Sequence, residues 1–268
     1  MFERFLTVDI GLQQITVHGY VGGARRLIEV VGEDPTEEKV KDYMFIMYTS
    51  TFSYSYKINT ALAVERYMQF IGKPMYLGRQ KKPKPMIKDT LTEAEITKLI
   101  FSTKNIREKA IIALLAYSGI RNMELCNLKV KDILYTENAV RILKGKGIKD
   151  GISEIAPACT KIVMEYIKMY DRKEEDFLFA TLRKGHQYRT QDTRKLVHIV
   201  ARRAKIEKRV YPHLLRHSMS ANMLLRGANI VSLKNQLRHT LLETTLHYVN
   251  SIVFVDKNQY QKYAPSYL

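Results

Sequence analysis

Apolar residues recur at helical spacing through the first 77 residues. The segment after Pro35 places four of them on one face of a predicted helix: Val40, Tyr43, Met44 and Met47. Asp34 is the expected N-cap of this helix. A second helix is predicted from about Ser53 to Phe70, where Gly72 and Pro74 follow as breakers. Its expected inward face holds Ile58, Leu62, Tyr67 and Ile71.

The pattern changes at residues 78–90, which are rich in lysine, arginine and proline. Pro83 and Pro85 lack backbone donors and restrict the residue before them, so we predict an extended linker. Beyond it, Thr92 and Asn105 each precede a glutamate by three residues, which is the spacing of a capping box. The second box begins an apolar helix that is predicted to end at Ser118-Gly119.

Two short runs, Val140–Leu143 and Ile152–Ala156, flank the polar stretch KGKGIKDG and predict a β-hairpin. Helical patterns then resume in five segments: Thr160–Tyr170, Gln191–Lys205, His213–Arg226, Asn229–Arg238 and Leu241–Val249. The predicted fold is mainly α, with a helical domain at 1–77, a linker at 78–90 and a larger α+β domain at 91–268. The last domain contains the small β-hairpin and ends in a tail at 251–268 with apolar and tyrosine residues.

The chain is strongly basic, with 44 Lys and Arg residues against 27 Asp and Glu residues and a formal net charge of +17. Such a balance favours a polyanionic partner, and nucleic acid is the most common one. A basic surface that serves solubility, or binding at a membrane surface, remains open at this point.

Insertion into a membrane is not expected. The longest apolar stretch, Ala110–Ala116, is far shorter than the roughly 20 residues that a span requires. The N-terminal MFERFLTVDIG lacks the apolar region of a signal peptide. Cys126 and Cys159 show no CxxC spacing, so we expect reduced cysteines in a cytoplasmic protein.

Candidate chemistry begins at Arg121, which follows a predicted helix end at Gly119. It would start the next helix among free backbone N–H groups, where anions bind. An isolated arginine there is more often a surface charge or a partner of Glu124. His213 and Arg216 share a helix face through their three-residue spacing, opposite a packing side that carries Leu215 and Met219.

The HLLRH segment also allows a metal site, because His213 and His217 are four residues apart. Zinc hydrolases of this type have glutamate at the second position, where this chain has Leu214. We therefore expect no metal and no other cofactor.

In order along the chain, these segments resemble the tyrosine recombinase/integrase family, most closely its simple two-domain Xer-type members. The resemblance rests on SGIRNMEL, KGKGIKDG, PHLLRHS and QLRHTLLETTLHYV, and it covers essentially the whole chain. It implies six catalytic residues: Arg121, Lys146, His213, Arg216, His239 and Tyr248. One departure is Arg238, where the family usually has glycine before the histidine.

The resemblance implies an N-terminal helical core-binding domain, a catalytic domain and site-specific recombination of double-stranded DNA. Tyr248 would form a 3′-phosphotyrosine intermediate, and strand exchange would pass through a Holliday junction. Arg121 and Arg216 would neutralise the phosphate, His213 would assist at Tyr248, and His239 would bond the phosphate. Lys146 would act as general acid, and Lys144 and Lys149 on the same turn remain open as alternatives. The implied roles are resolution of chromosome or plasmid dimers, or integration of a mobile element, by a homotetramer whose tails at 251–268 dock on neighbouring protomers. A tail that folds back on its own catalytic domain remains open as the alternative.

Two alternatives remain open from the sequence. A type IB topoisomerase has the same active-site plan but only relaxes supercoils. A non-catalytic DNA-binding protein with a decayed catalytic domain would also be basic, although all six expected residue types are present here.

Overall fold

The computed structural model describes residues 1–83, 89–143, 151–181 and 186–239. The chain divides into two compact units, Met1–Met86 and Ile87–Leu268. Several predicted features lie outside the described residues: the hairpin turn with Lys146, the helix Leu241–Val249 with Tyr248, the tail 251–268 and part of the linker, 84–88.

The first unit is helical. A short α1 (Phe2–Arg4) continues into a π-helical turn (Phe5–Asp9), and three longer helices follow: α2 (Gln14–Val31), α3 (Glu37–Thr49) and α4 (Tyr54–Phe70). Leu27, Met44, Val64 and Met68 are among the buried residues of its core. The apolar face predicted for α3 is buried as expected.

Two details of the first unit differ from the prediction. Asp34 pairs with Lys73 instead of capping α3, and the hydroxyl of Thr36, the residue next to the helix, accepts the N–H of Lys39. The inward face of α4 is also rotated. Tyr67 is buried as predicted, but Ile58, Leu62 and Ile71 are only partly buried, and the other buried residues include Ala61, Ala63, Val64 and Met68.

The reason for this rotation is the close approach of α2. A Cβ added to Gly23 of α2 would lie 2.6 Å from the Cβ of Ala63, so only small side chains fit between the two helices. Ala63 fits at this contact, whereas the larger Ile58 and Leu62 remain only partly buried.

The second unit contains seven α-helices among its described residues, together with a 3₁₀ turn (Val130–Asp132). These helices are α5 (Glu93–Phe101), α6 (Ile106–Ser118), α7 (Asn122–Asn127), α8 (Pro157–Met169), α9 (Thr190–Arg203), α10 (Pro212–Leu225) and α11 (Ile230–Leu237). Helix α6 is central, since every residue from Ala110 to Ala116 is buried.

The capping box of Thr92 and Glu95 is confirmed at the start of α5. The second predicted box is half right. Asn105 accepts the N–H of Glu108, but the Glu108 carboxylate accepts from Lys104 N and from Arg203 instead of from the Asn105 backbone. Arg203 of α9 thus bonds the Glu108 carboxylate in place of the Asn105 backbone.

The predicted hairpin is present as β2 (Ala139–Ile142) and β3 (Gly151–Glu154), which pair antiparallel with Val140 opposite Ser153. A two-residue strand β1 (Ile133–Leu134), which the sequence pattern did not predict, joins β2 on its other side. The prediction of a mainly α fold with a small antiparallel sheet is confirmed.

The outer edge of β3 is covered by Gln236 of α11. The Gln236 side chain accepts the N–H of Glu154 and donates to the carbonyl of the same residue, as a neighbouring strand would. The sheet also contacts the end of α6 here, because the Ser153 hydroxyl donates to the Ser118 carbonyl at 2.6 Å. The end of α11 is therefore joined to the sheet and to the end of α6. Within the described ranges, no helix is long and apolar enough to cross a bilayer.

Candidate functional site

Four helices bring the predicted site residues of the described chain together. Helix α6 ends at Gly119, whose φ of 64° is left-handed and whose missing side chain leaves room for Met219. A Cβ at Gly119 would lie 2.1 Å from Met219 Cε, so this position accepts only glycine without rearrangement. The sharp turn places Arg121 at the N-cap of α7.

Arg121 is held by the glutamate of its own helix. Its backbone N–H donates to Glu124 Oε2 at 2.7 Å, and its Nη1 donates to Glu124 Oε1 at 2.9 Å. The Arg121 side chain is nevertheless 45% exposed. It is oriented but still accessible to a ligand from solvent.

Arg216 of α10 is in the opposite situation, since only 1% of it is exposed. Its Nη1 donates to the Gly119 carbonyl, and its Nη2 donates to the Leu237 carbonyl at 2.9 Å. Nη2 also lies 2.9 Å from Nε2 of His239. One guanidinium therefore holds together the end of α6, the end of α11 and the His239 ring.

His213 lies in the first turn of the same helix, three residues before Arg216, and is exposed. The predicted packing side is confirmed for Leu215 and Met219, which are buried. The helix is buried more completely than its sequence pattern indicates, because Arg216 and His217 lie inside as well.

His239 follows the end of α11 and lies in a strongly positive environment. Burial, followed by the charges of Arg216, Arg121, Arg238 and His213, lowers the pKa of His239 to about 4. The ring is therefore neutral at pH 7. Because a guanidinium can only donate, Nε2 is the acceptor in the contact with Arg216, and the ring proton is on Nδ1.

Glu124 is the acidic residue of this cluster. Burial acts to raise its pKa, but the backbone hydrogen bond from Arg121 and the charge of Arg238 outweigh burial and lower it. Arg238 Nη2 donates to Glu124 Oε2 at 2.7 Å. Glu124 is thus an ionised carboxylate that two arginines share.

The structure brings together Arg121, His213, Arg216 and His239, while Lys146 and Tyr248 lie outside the described residues. The sequence pattern did not assign a role to Gln236 or Arg238, which join α11 to the sheet and to Glu124. The departure from glycine at Arg238 was the one signal that pointed to this turn. In the ranges that the structure covers, no group of three or more His, Cys, Asp or Glu residues is arranged to hold a metal ion.

Comparison with known proteins identifies the family. The model of the phage integrase family matches residues 89–253. A tyrosine recombinase of Pseudothermotoga lettingae is 30% identical over 94% of this chain and 92% of its own. Another, from Thermosipho africanus, is 34% identical over 83% of this chain and 75% of its own.

Comparison with solved structures supports the same assignment. A crystal structure of XerA recombinase superimposes with a TM-score of 0.61 at 25% identity and covers 99% of this chain and 97% of that one. XerH bound to a palindromic difH substrate shares the fold, with a TM-score of 0.72 at 18% identity over 92% of this chain and 79% of that one. The chain belongs to the phage integrase family, and the predicted resemblance to tyrosine recombinases of the Xer type is confirmed.

Proposed function

We propose that this chain is a site-specific DNA recombinase that cuts and rejoins DNA through a covalent bond to Tyr248. The observation that carries the proposal is the convergence of Arg121, Arg216 and His239 around one positive site, in a chain whose relatives are named tyrosine recombinases. Enzymes of this class break and rejoin DNA strands, and the net charge of +17 suits a DNA partner.

The two arginines serve the transition state. Attack on a phosphodiester places additional negative charge on the non-bridging oxygens, and guanidiniums stabilise it through charge-assisted hydrogen bonds. Arg216 is fixed before DNA binds, because two backbone carbonyls hold its orientation. Arg121 is oriented by Glu124 but open to solvent, so it is accessible to a phosphate oxygen.

The remaining roles complete the proton balance. The Tyr248 oxygen attacks phosphorus, the bond to the 5′ oxygen breaks, and the phosphate stays on tyrosine as an ester. Lys146 protonates the leaving 5′ oxygen, and His213 takes the phenolic proton. Neutral His239 donates from Nδ1 to a phosphate oxygen. The reverse reaction with a different 5′ hydroxyl rejoins the strand without a nucleotide cofactor.

We further propose that four copies act together on two DNA sites and exchange strands through a Holliday junction. Proteins of similar fold support a DNA partner, since XerH and the Tn1549 integrase were solved with DNA. The tail 251–268 would join protomers by docking on the next copy. Resolution of chromosome or plasmid dimers and integration of a mobile element are the two roles that such a reaction fits.

A cytoplasmic location is part of the same proposal. The DNA substrate is there, and the two free cysteines, Cys126 and Cys159, are both buried. Burial raises the pKa of Cys159 to about 12, so this thiol is unreactive and would remain reduced.

The decisive experiment replaces the nucleophile. Tyr248→Phe should bind DNA like the unmodified chain but form no protein–DNA adduct that survives denaturant, since only the phenolic oxygen is removed. Tyr135→Phe, which changes an exposed tyrosine of the same unit, is the matched control and should form the adduct normally. An adduct with Tyr248→Phe would show that another residue is the nucleophile.

A topoisomerase would give the same adduct, so a second assay separates the two activities. With two linear DNA molecules that carry the recognition site, a recombinase produces joint molecules of new length. Relaxation of a supercoiled circle without any joint product would favour the type IB topoisomerase instead.

A further inference from the structure

The backbone of Arg238 has an unusual conformation for its residue type. Its φ of 54° and ψ of 42° lie in the left-handed region at the end of α11, which favours glycine over residues with a Cβ. The Arg238 side chain is only 4% exposed. A left-handed backbone and a buried guanidinium are both unfavourable, and strain of this kind is concentrated where function requires it.

The contacts of Arg238 reach two other elements. Its Nη2 forms the 2.7 Å ion pair with Glu124 of α7. Its aliphatic stem lies over Gly151, the first residue of β3, where an added Cβ would be 2.3 Å from Arg238 Cδ. One side chain therefore bridges the end of α11, the start of α7 and the strand that follows the hairpin turn.

The ion pair matters because Glu124 is also the carboxylate that orients Arg121. Two arginines on one glutamate leave the group with a net positive charge, whereas Arg121 and Glu124 alone would be neutral. Arg238 Nη2 and the Arg121 backbone N–H both bond Oε2, which leaves Oε1 directed at Arg121 Nη1. Loss of Arg238 would free Glu124 to rotate and to neutralise Arg121 more fully.

We infer that Arg238 is a positioning residue for strand cleavage: it fixes Glu124, and through Glu124 it presents Arg121 to the scissile phosphate, while Gly151 provides the space for its side chain. The inference rests on the proposed cleavage reaction and adds to it a residue outside the six predicted ones. Arg238 does not itself touch the DNA in this role.

The first test replaces the guanidinium. Arg238→Gln should leave the dissociation constant for the DNA site within about twofold, while the single-turnover rate of adduct formation at saturating DNA falls about tenfold to a hundredfold, the scale of a misplaced catalytic group. Arg238→Lys keeps the charge and should recover part of the rate.

The matched control is Arg203→Gln, which breaks the ion pair between Arg203 and Glu108, also 2.7 Å long and also in the second unit. It should reduce stability without the loss in cleavage rate. Equal rates for Arg238→Gln and Arg203→Gln would overturn the inference, as would a lysine variant no faster than the glutamine variant.

A second test leaves Arg238 in place and displaces it. Gly151→Ala should slow adduct formation, because the new methyl group collides with the Arg238 stem. The double variant Gly151→Ala with Arg238→Gly should be no slower than Arg238→Gly alone, since the collision partner is gone. Losses that simply multiply in the double variant would show that the two residues act independently, and the inference would fail.

Both tests distinguish this inference from the recombinase proposal. If the unmodified chain forms no adduct at Tyr248, the proposed reaction is wrong. If it forms the adduct and the Arg238 variants do so at the same rate, only the positioning role is wrong.

Discussion

Arg121 and Arg216 carry the same functional group in opposite environments. Arg216 is buried and bonded to the carbonyls of two helix ends, whereas Arg121 is half exposed and bonded to one glutamate. A guanidinium that holds helix ends together contributes to folding as well as to chemistry. One that projects from a helix start contributes mainly to chemistry.

We therefore expect different phenotypes for the two alanine variants. Each should lose about a hundredfold or more in cleavage rate, the usual effect of removing one transition-state donor. Arg216→Ala should also lose about 3 kcal/mol in the free energy of unfolding, because it leaves a cavity and two buried carbonyls without their donor. Arg121→Ala should lose less than about 1 kcal/mol. Urea denaturation beside a single-turnover assay would check this, and equal stability losses would contradict it.

His239 predicts a pH dependence of stability. Its pKa is about 4 in the folded protein and 6.5 for an ordinary histidine, so the unfolded chain takes up the proton first as the pH falls. The free energy of unfolding should therefore decrease as the pH drops from about 6.5 to about 4. His239→Gln should remove this part of the decrease. Urea midpoints across that range for both proteins would measure it, and identical slopes would count against a partly buried neutral ring.

The sequence predicts a set of candidate site residues, but it could not predict how far each of them is buried. The three-residue spacing of His213 and Arg216 fixes a shared helix face, yet the structure leaves the first exposed and buries the second. The acceptors of Arg216 are backbone carbonyls, which every residue has, so no side-chain pattern marks them. The sequence allows Glu124 as a partner of Arg121, since the two residues are three positions apart. Its bond to Arg238 joins residues far apart in the chain.

At the scale of elements, the site depends on how α6 ends. Gly119 turns the chain toward Arg121, gives its carbonyl to Arg216 and leaves space for Met219. All three functions use the same small residue.

Gly119→Ala should therefore lower the free energy of unfolding. The left-handed backbone contributes about 1–2 kcal/mol, and the collision with Met219 adds about 1–3 kcal/mol of overpacking. The control is Gly227→Ala, where φ is 91° but nothing lies within 4 Å of the added Cβ. Gly227→Ala should therefore lose only the contribution of the left-handed backbone, about 1–2 kcal/mol. Chemical denaturation of the two variants gives the comparison, and equal losses would mean that the core around Met219 adapts freely.

The elements that the sequence predicted correctly are those with local signals. The box at Thr92 closes within four residues, and the hairpin is marked by alternating strands around a glycine-rich turn. The box at Asn105 was wrong in its second half because Arg203 of α9 competes for Glu108. Strand β1 was not predicted, since two residues are too few to show a period.

At the scale of the whole molecule, charge should dominate DNA binding. A chain with a net charge of +17 displaces counterions from the DNA when it binds. If it contacts six to ten phosphates, affinity should fall by roughly 10³ to 10⁵ between 50 and 200 mM salt. The Tyr248→Phe variant is suited to this titration because covalent capture would otherwise obscure the equilibrium. A DNA affinity that does not change with salt concentration would exclude a phosphate-dominated interface.

The ion pair between Glu124 and Arg238 spans 114 residues of sequence, and Arg216 reaches back 97 residues to Gly119. Contacts this distant in sequence form late, because a long loop must close before they can be made. During synthesis the lysine- and arginine-rich linker at 78–90 emerges from the ribosome well before α11. A nascent or truncated chain that stops short of α11 can thus be attracted to DNA by its charge, but it lacks Arg238, His239 and the Leu237 carbonyl that orients Arg216. We therefore expect a chain truncated before α11 to bind DNA without cutting it.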